Sequence, residues 1–286
     1  MRDFSSDHRW LSMNTVTLRP LGDLGRIVDS CARHGIRAIA PWRDEVAAYG
    51  LERAARLIRD AGLDLSGYLR AGMFASDAGR RQEVRDDNRR VVDEAATLGP
   101  CPVVVVPGGL PQFSRPGTAP DKDLAAARTQ TEEHLAELLP YARAANVPLA
   151  LEPLHPMHAA ERGTVSTIRQ ALDICDRLDP EQHGGLGLTL DVYHVWWDPE
   201  IKDQIARAGS RILAFHVSDW LTPTRHMLTD RGMMGDGIIQ ISKIRGWVED
   251  AGFDGYAEVE IFSDALWSVP ADELVGRCIM AHRQAV

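Results

Sequence analysis

Four short apolar segments in the second half of the chain each end in a residue that can bind a metal ion. They span residues 149–152, 188–191, 213–216 and 257–260, and they end in Glu152, Asp191, His216 and Glu260. An apolar strand has no structural use for a carboxylate at its last position, because a buried charge is costly unless it is paired, protonated or bound to a metal. The repeated pattern therefore predicts four strands that bring their last residues to one site.

These four segments belong to a longer alternation of strand-like and helix-like segments. Strand-like apolar runs also lie at residues 11–18, 36–41, 65–69 and 101–107. Segments with apolar residues at helical spacing lie at residues 21–34, 51–61, 80–98, 121–146, 164–178, 199–208, 241–251 and 270–284. The first half also contains a Gly- and Pro-rich loop at 108–120, and the second half a long loop at 220–237.

Strict alternation of strands and helices is typical of a parallel sheet, and eight such units predict a closed barrel. The fold class predicted is α/β, a (β/α)8 TIM barrel formed by a single domain over residues 1–286. An open doubly wound sheet is the alternative. It favours a glycine-rich phosphate loop after the first strand, and residues 18–25 contain no such motif.

The charge and the cysteines argue against several classes of protein. The formal charge of −9 argues against nucleic acid as a partner, and so against an apurinic-site endonuclease, which shares this barrel but needs more histidine ligands. The chain has no apolar run of about 18 residues and no apolar run at its start, so neither a membrane span nor a signal peptide is expected. The four cysteines are far apart, which predicts buried reduced thiols and a cytoplasmic location.

The four terminal residues predict a site for one divalent cation. In such barrels the active site lies at the C-terminal ends of the strands, and four consecutive strands line one half of that rim. Two Glu, one Asp and one His form an oxygen-rich set that favours Mn²⁺, with Mg²⁺, Co²⁺ or Fe²⁺ as alternatives and Zn²⁺ less favoured. Any one of them alone is more often a polar residue at a loop edge, but four at equivalent positions favour the metal site.

The sequence around these residues resembles a known superfamily. The motifs are Leu-Glu152-Pro-Leu-His, Leu-Asp191-Val-Tyr-His194, Phe-His216-Val-Ser-Asp and Val-Glu260-Ile-Phe, with Gly235-Asp-Gly237 between the last two. They are similar to motifs of the sugar phosphate isomerase/epimerase superfamily of xylose-isomerase-like TIM barrels, which includes the ketose 3-epimerases and inosose dehydratase. The resemblance covers nearly the whole chain and is strongest over residues 147–262, but it does not identify a substrate.

The resemblance implies roles for several residues. It implies that the four strand-end residues hold one divalent ion and that Glu152 and Glu260 also move protons. It implies that His194 contacts substrate oxygens. Arg231 stands near the position of a substrate-binding arginine, although the loop here is longer than in the ketose 3-epimerases and Arg225 competes for that assignment.

Two histidines mark a departure from the ketose 3-epimerases. His158 stands where those enzymes carry a second glutamate that helps to hold the sugar, and His155 lies in the same turn. A histidine can be neutral or charged near pH 7, so either residue could protonate a leaving group. Trp42 is predicted to stack on the sugar from the opposite rim.

Four further residues are expected near the site in supporting roles. Trp196 and Trp197 are more simply explained by packing or a subunit interface than by sugar binding. Glu258 shares a strand face with Glu260, so it is expected to point into the barrel and to need a partner, with Arg70 or Lys243 as candidates. Asp219 is a candidate partner for a metal ligand.

The predicted activity is that of a metal-dependent sugar isomerase or epimerase, which removes a proton next to a carbonyl through a stabilised enediolate. The alternative is a metal-dependent lyase or dehydratase that acts on a keto-sugar, keto-glycoside or keto-inositol, because elimination begins with the same proton removal. A metal-free binding protein is a third candidate. The expected partner is a small sugar or keto-sugar, and the chain is expected to form a homo-oligomer, a dimer or a tetramer.

Overall fold

Parallel strand pairing runs around a central barrel in this computed structural model, which describes residues 2–76, 79–110 and 122–286. The strands are β1 (Leu11–Asn14), β2 (Ala38–Ala40), β3 (Asp64–Leu65), β4 (Tyr68–Gly72), β5 (Val103–Val106), β6 (Leu149–Leu151), β7 (Leu186–Asp191), β8 (Ile212–Val217), β9 (Asp219–Trp220), β10 (Arg231–Gly232) and β11 (Ala257–Val259). The main sheet has the order β3-β2-β1-β11-β8-β7-β6-β5-β4, and every pair in it is parallel.

The two edges of this sheet meet at the third position of the barrel. A bridge between Trp42 and Leu69 joins the end of β2 to β4, and the Leu69 N–H donates to the Pro41 carbonyl at 3.1 Å. The short strands β3 and β4 therefore share one of eight strand positions. The arrangement confirms the predicted TIM barrel.

Helices connect the strands on the outside of the barrel. They are α1 (Leu24–Arg33), α2 (Arg43–Tyr49), α3 (Leu51–Asp60), α4 (Arg81–Leu98), α5 (Leu124–Ala144), α6 (Ile168–Leu178), α7 (Val192–Val195), α8 (Ile201–Ala208), α9 (Ile241–Asp250) and α10 (Ala271–Ala285). Side-chain caps fix where some of them begin: Asp23 accepts from the Arg26 N–H at α1, and Thr167 accepts from the Gln170 N–H at α6. Among the described residues, none of these helices combines the length and the apolar character needed to cross a membrane.

Strand alternation separates the side chains into two layers. On β5, Val103 and Val105 pack in the large core between strands and helices, whereas Val104 belongs to a small cluster with Ala40 and Leu69. Alternate residues of a strand point to opposite faces, so this second cluster marks the barrel interior. The inward positions on β1 and β11 are polar, since Leu11 and Met13 pack in the outer core while Ser12 and Asn14 alternate with them.

Several predicted boundaries were wrong, and each has a local reason. The predicted first strand, 11–18, ends at Asn14, because the Asn14 side chain caps a 3-10 helix at Thr15–Leu21 by accepting from the Val16 N–H. The helix predicted from residue 164 begins at Ile168, because the Thr167 side chain caps it by accepting from the Gln170 N–H.

Four short elements were not predicted: α2, the single turn α7, strand β9 at the start of the predicted loop 220–237 and strand β10 inside that loop. Elements this short carry too little periodicity to be recognised in a sequence. Most of the other predicted loop, at residues 111–120, lies outside the described residues.

Candidate metal centre

Four buried side chains meet at the C-terminal end of the barrel. Asp191 ends β7, His216 lies near the end of β8, and Glu152 and Glu260 directly follow β6 and β11. Each offers one ligand atom, and these atoms all lie within 4.8 Å of one another. The alternation of each strand explains the convergence: Leu149, Leu151, Ala257 and Val259 pack in the outer core, so Glu152 and Glu260 point inward.

The His216 ring lies at the centre of this group. Its Nδ1 atom is 3.7 Å from Glu152 Oε1 and 3.5 Å from Glu260 Oε2. Neither Nδ1 nor Glu152 Oε1 has a hydrogen-bond partner within the described part of the chain, although both are buried. Buried polar atoms normally have partners, so two orphaned ligand atoms that face each other across the site fit a cation between them. Carboxylates with one imidazole suit a divalent ion.

Arg231 reaches the same group from β10. Its Nη1 donates to Asp191 Oδ2 at 2.7 Å and to Glu260 Oε2 at 3.1 Å. Its guanidinium lies over the Tyr193 ring, 4.5 Å from the centroid, and it is buried with both carboxylates. The guanidinium therefore compensates part of the negative charge of the site. The competing arginine, Arg225, pairs with Asp230 away from these side chains, and its own side chain is 67% exposed.

Burial and mutual charge shift the acidity of these groups strongly. Burial and the neighbouring Glu260 charge raise the pKa of Glu152 to about 8. Burial acts to raise the pKa of Glu260 as well, but Arg231 and His216 outweigh it and hold that pKa at about 2. Burial acts against the charged form of His216, but Glu258, Glu260 and Glu152 raise its pKa to about 10. The two glutamates are thus placed in very different electrostatic environments.

Comparison with known proteins identifies the family. The family model described as xylose isomerase-like TIM barrel matches residues 28–278. The chain belongs to the xylose isomerase-like TIM barrel family. The crystal structure of protein SMc04130 from Sinorhizobium meliloti 1021 is 53% identical, with a TM-score of 0.91 over 96% of this chain and 98% of that one.

More distant relatives of this xylose isomerase-like barrel carry functional names. An inosose isomerase of Bacillus velezensis is 22% identical over 284 residues, which cover 93% of this chain and 92% of the relative. A structure of the IOLI protein with a bound zinc atom is also 22% identical, has a TM-score of 0.78 and covers 94% of each chain. At 22% identity, this structural similarity shows only that the two proteins share a fold.

The xylose isomerase-like barrel brings His194 next to the four strand-end residues. His194 Nε2 lies 3.1 Å from Arg231 Nη2 and 3.6 Å from Asp191 Oδ2. Its Nδ1 accepts from the His155 N–H at 3.2 Å. Complete burial, reinforced by the Arg231 charge, holds the pKa of His194 well below its usual value. A role for His194 or Arg231 in substrate binding stays a prediction.

The two histidines of the turn after β6 lie beside His194, and burial lowers the pKa of both imidazoles. His155 is half-buried, its Nδ1 accepts from the Met157 N–H, and its ring lies 4.8 Å from that of Trp220. His158 is buried, and its ring meets His194 edge-on at 5.8 Å. Burial, with the nearby arginine charges, lowers the pKa of His158 to about 4, so this histidine is neutral near pH 7.

The tryptophans occupy distinct places around this end of the barrel. Trp42 packs against the inner apolar cluster, and its Nε1 donates to Asn14 Oδ1 at 2.8 Å. Trp196 packs on Trp220 with ring centroids 5.5 Å apart, and Trp197 Nε1 donates to the His194 carbonyl at 2.8 Å. Packing therefore explains Trp196 and Trp197, whereas stacking of Trp42 on a sugar stays a prediction.

The proposed partnership of Asp219 with a metal ligand was wrong. Its carboxylate accepts from the backbone N–H groups of Trp220, Gly235, Gly237 and Ile239. A Cβ at Gly237 would lie 2.3 Å from the Trp220 carbonyl oxygen, so only glycine fits there. Asp219 organises the loop that follows β10.

Glu258 points into the barrel as predicted, but its predicted partners were wrong. It accepts from Asn14 Nδ2 at 2.7 Å and from Ser66 Oγ at 2.8 Å rather than from Arg70 or Lys243. Neither Asn14 nor Ser66 was predicted as part of the site. The alternation of polar Ser12 and Asn14 with apolar Leu11 and Met13 was a signal that could have identified Asn14.

Proposed function

We propose that this protein is a divalent-metal-dependent isomerase or epimerase of a small keto-sugar or keto-inositol, which moves a proton on the carbon next to the carbonyl. The observation that carries the proposal is the group Glu152, Asp191, His216 and Glu260, all buried and with ligand atoms within 4.8 Å. The inosose isomerase relative supports an isomerase, and the zinc-bound IOLI structure supports a divalent cation.

These four residues would hold the cation, and the three carboxylates among them favour Mn²⁺. When bound, a divalent cation supplies Lewis-acid polarisation of a carbonyl oxygen, which makes the adjacent C–H more acidic. Zn²⁺ belongs in any test because the IOLI structure contains it.

Glu152 and Glu260 are the proposed acid and base. Two strands, β7 and β8, separate their strands in the sheet, so the two carboxylates approach the centre from different directions. In the proposed reaction one carboxylate accepts the proton from the substrate carbon, and the other returns a proton from the opposite side. Their contrasting surroundings suit the two tasks, since a proton donor and a proton acceptor need different affinities for the proton.

Residues around the pair would bind and orient the substrate. Arg231 and His194 present nitrogen atoms beside Asp191 and are proposed to hold substrate hydroxyl or carbonyl oxygens. His155, His158 and Trp42 are proposed to complete the binding surface. The burial of the four strand-end residues limits the access of water, which strengthens every polar contact made there.

The proposal is tested by exchange in deuterated solvent. The protein is loaded with Mn²⁺ or Zn²⁺ and incubated with a panel of keto-sugars and inososes, and the products are analysed by mass spectrometry and NMR. Incorporation of deuterium next to the carbonyl without loss of mass is expected. Loss of water or of an aglycone would establish the lyase instead, and a protein that binds no cation and turns over no substrate would be a binding protein.

We also propose a cytoplasmic location and a homo-oligomeric state. The four cysteines are all free and buried, which is consistent with work in the reducing cytoplasm. Light scattering after size-exclusion chromatography tests the proposed homo-oligomer, and a mass equal to one chain would refute it.

A further inference from the structure

A fifth carboxylate lies just inside the four ligand residues. Glu258 is 1% exposed and belongs to β11, two residues before Glu260. In the parallel pairing of β11 with β8, Glu258 is the register partner of His216. An apolar residue would fill this inward position at lower cost, since a buried carboxylate must be compensated by donors.

Two hydrogen bonds and one close contact hold the Glu258 carboxylate. Asn14 Nδ2 donates to Oε1 at 2.7 Å and Ser66 Oγ donates to Oε2 at 2.8 Å. His216 Nε2 faces Oε1 at 3.3 Å and has no hydrogen-bond partner among the described residues. The orientation of the Asn14 amide is fixed from its other side, because its Oδ1 accepts from the Val16 N–H and from Trp42 Nε1. The position of the carboxylate is therefore set by β1 and by the segment before β4.

The two nitrogens of His216 face different groups. Nδ1 faces Glu152 and Glu260, whereas Nε2 faces Glu258. A neutral imidazole offers a lone pair from only one nitrogen, so a His216 that binds a cation through Nδ1, the nitrogen on the side of Glu152 and Glu260, carries its proton on Nε2. A carboxylate that receives the second N–H of a metal-bound histidine fixes the orientation of the ring and makes it a stronger ligand.

We propose that Glu258 is a positioning residue, which holds the His216 ring with Nε2–H toward Glu258 and directs the Nδ1 lone pair at the cation. The inference rests on the proposed function in one respect, namely that His216 is a ligand. Glu258 itself is not the ligand, because Asn14 and Ser66 already donate to its two oxygens.

The test compares Glu258→Gln with the unmodified protein. Glutamine keeps the shape of the side chain but removes the charge that retains the Nε2 proton. Zn²⁺ affinity is measured by competition with a chromophoric chelator, and a loss of about 10- to 100-fold is expected. Glu45→Gln is the matched control, because Glu45 follows β2 at the same end of the barrel and accepts from Thr15 rather than from His216. The control should bind Zn²⁺ like the unmodified protein.

A second measurement reports on the histidine directly. In the Zn²⁺-loaded unmodified protein, ¹⁵N NMR of the imidazole nitrogens should show His216 protonated at Nε2 and metal-bound through Nδ1. The Nε2–H proton should move upfield in Glu258→Gln, a change that a purely structural role would not produce. This measurement on the unmodified protein stays decisive if the variant fails to fold.

The outcomes separate this inference from the proposed function. Equal Zn²⁺ affinity of Glu258→Gln and the unmodified protein, or a proton found on Nδ1, would overturn the role of Glu258 and leave the metal site intact. Tight Zn²⁺ binding without solvent exchange into any keto-sugar would overturn the isomerase alone. An unmodified protein that binds no divalent cation would overturn both.

Discussion

Replacement of Arg231 by methionine tests whether its guanidinium compensates the buried carboxylates. The side chain is 4% exposed, and it donates to Asp191 at 2.7 Å and to Glu260 at 3.1 Å. Asp191 and Glu260 are 0% and 5% exposed, so water cannot replace the lost partner. Removal of one member of a buried ion pair typically costs about 3–5 kcal/mol of unfolding free energy. We expect a loss of that size for Arg231→Met in the presence of a chelator.

The assay is equilibrium unfolding in urea, with chelator and then with saturating Mn²⁺. Part of the lost stability should return with the cation, because a ligand that binds only the folded state stabilises it by mass action. Arg225→Met is the matched control. Its pair with Asp230 is exposed to solvent on the arginine side, so its removal should change the free energy of unfolding far less than the Arg231 substitution does. Equal stability of Arg231→Met and Arg225→Met in chelator would refute the reasoning.

Three further predictions concern catalysis, metal binding and acid stability. Glu152→Gln should abolish deuterium exchange at the substrate carbon while the protein stays folded, and retained turnover would remove Glu152 from the mechanism. His216→Ala should sharply weaken Mn²⁺ binding measured by calorimetry, and an unchanged metal stoichiometry would contradict its assignment as a ligand. His282 is fully buried against Phe4, and burial together with nearby positive charges lowers its pKa to about 3. The unfolded chain takes up this proton near pH 6.5, so the contribution of a neutral His282 to stability is lost as the pH falls from 6.5 toward 3. The His282→Phe variant lacks this penalty. Its free energy of unfolding in urea, relative to that of the unmodified protein, should therefore rise by about 2 kcal/mol when the pH is lowered from 7.5 to 5. The same relative stability at both pH values would refute the assignment.

The fold could be predicted because each strand and helix repeats one physical pattern. Apolar runs such as 103–106 are long enough to identify a parallel strand covered by helices, and glycines after helical segments mark where those segments end. The four candidate metal ligands could be predicted for the same reason. Each ends a predicted apolar strand, and the alternation of side chains along the strand determines that the last one points into the barrel. Strand parity alone thus places Glu152 and Glu260 inside the barrel.

The contacts of Arg231 and Glu258 could not be predicted, because they depend on loops. Arg231 lies in a long segment between β8 and β11, where no periodicity fixes the direction of a side chain. Ser66 reaches Glu258 only because the third strand position is divided between β3 and β4, and a sequence does not show where a strand is interrupted. Arg70 and Lys243 were reasonable partners for a buried carboxylate by charge, but hydroxyl and amide donors satisfy it instead.

The interior of the barrel end holds more negative than positive charge. Glu152, Asp191, Glu258 and Glu260 face one guanidinium, that of Arg231, and one imidazole, that of His216. Even with this imidazole protonated, four carboxylates outnumber the two positive groups by two within this set of contacting residues. Such an excess inside a buried site is unfavourable unless a proton or a cation offsets it. Without a cation, a proton on Glu152 offsets part of this excess, since the pKa of that carboxyl is raised to about 8. The excess of two negative charges equals the charge of one divalent cation, which favours a metal among the four strand-end residues.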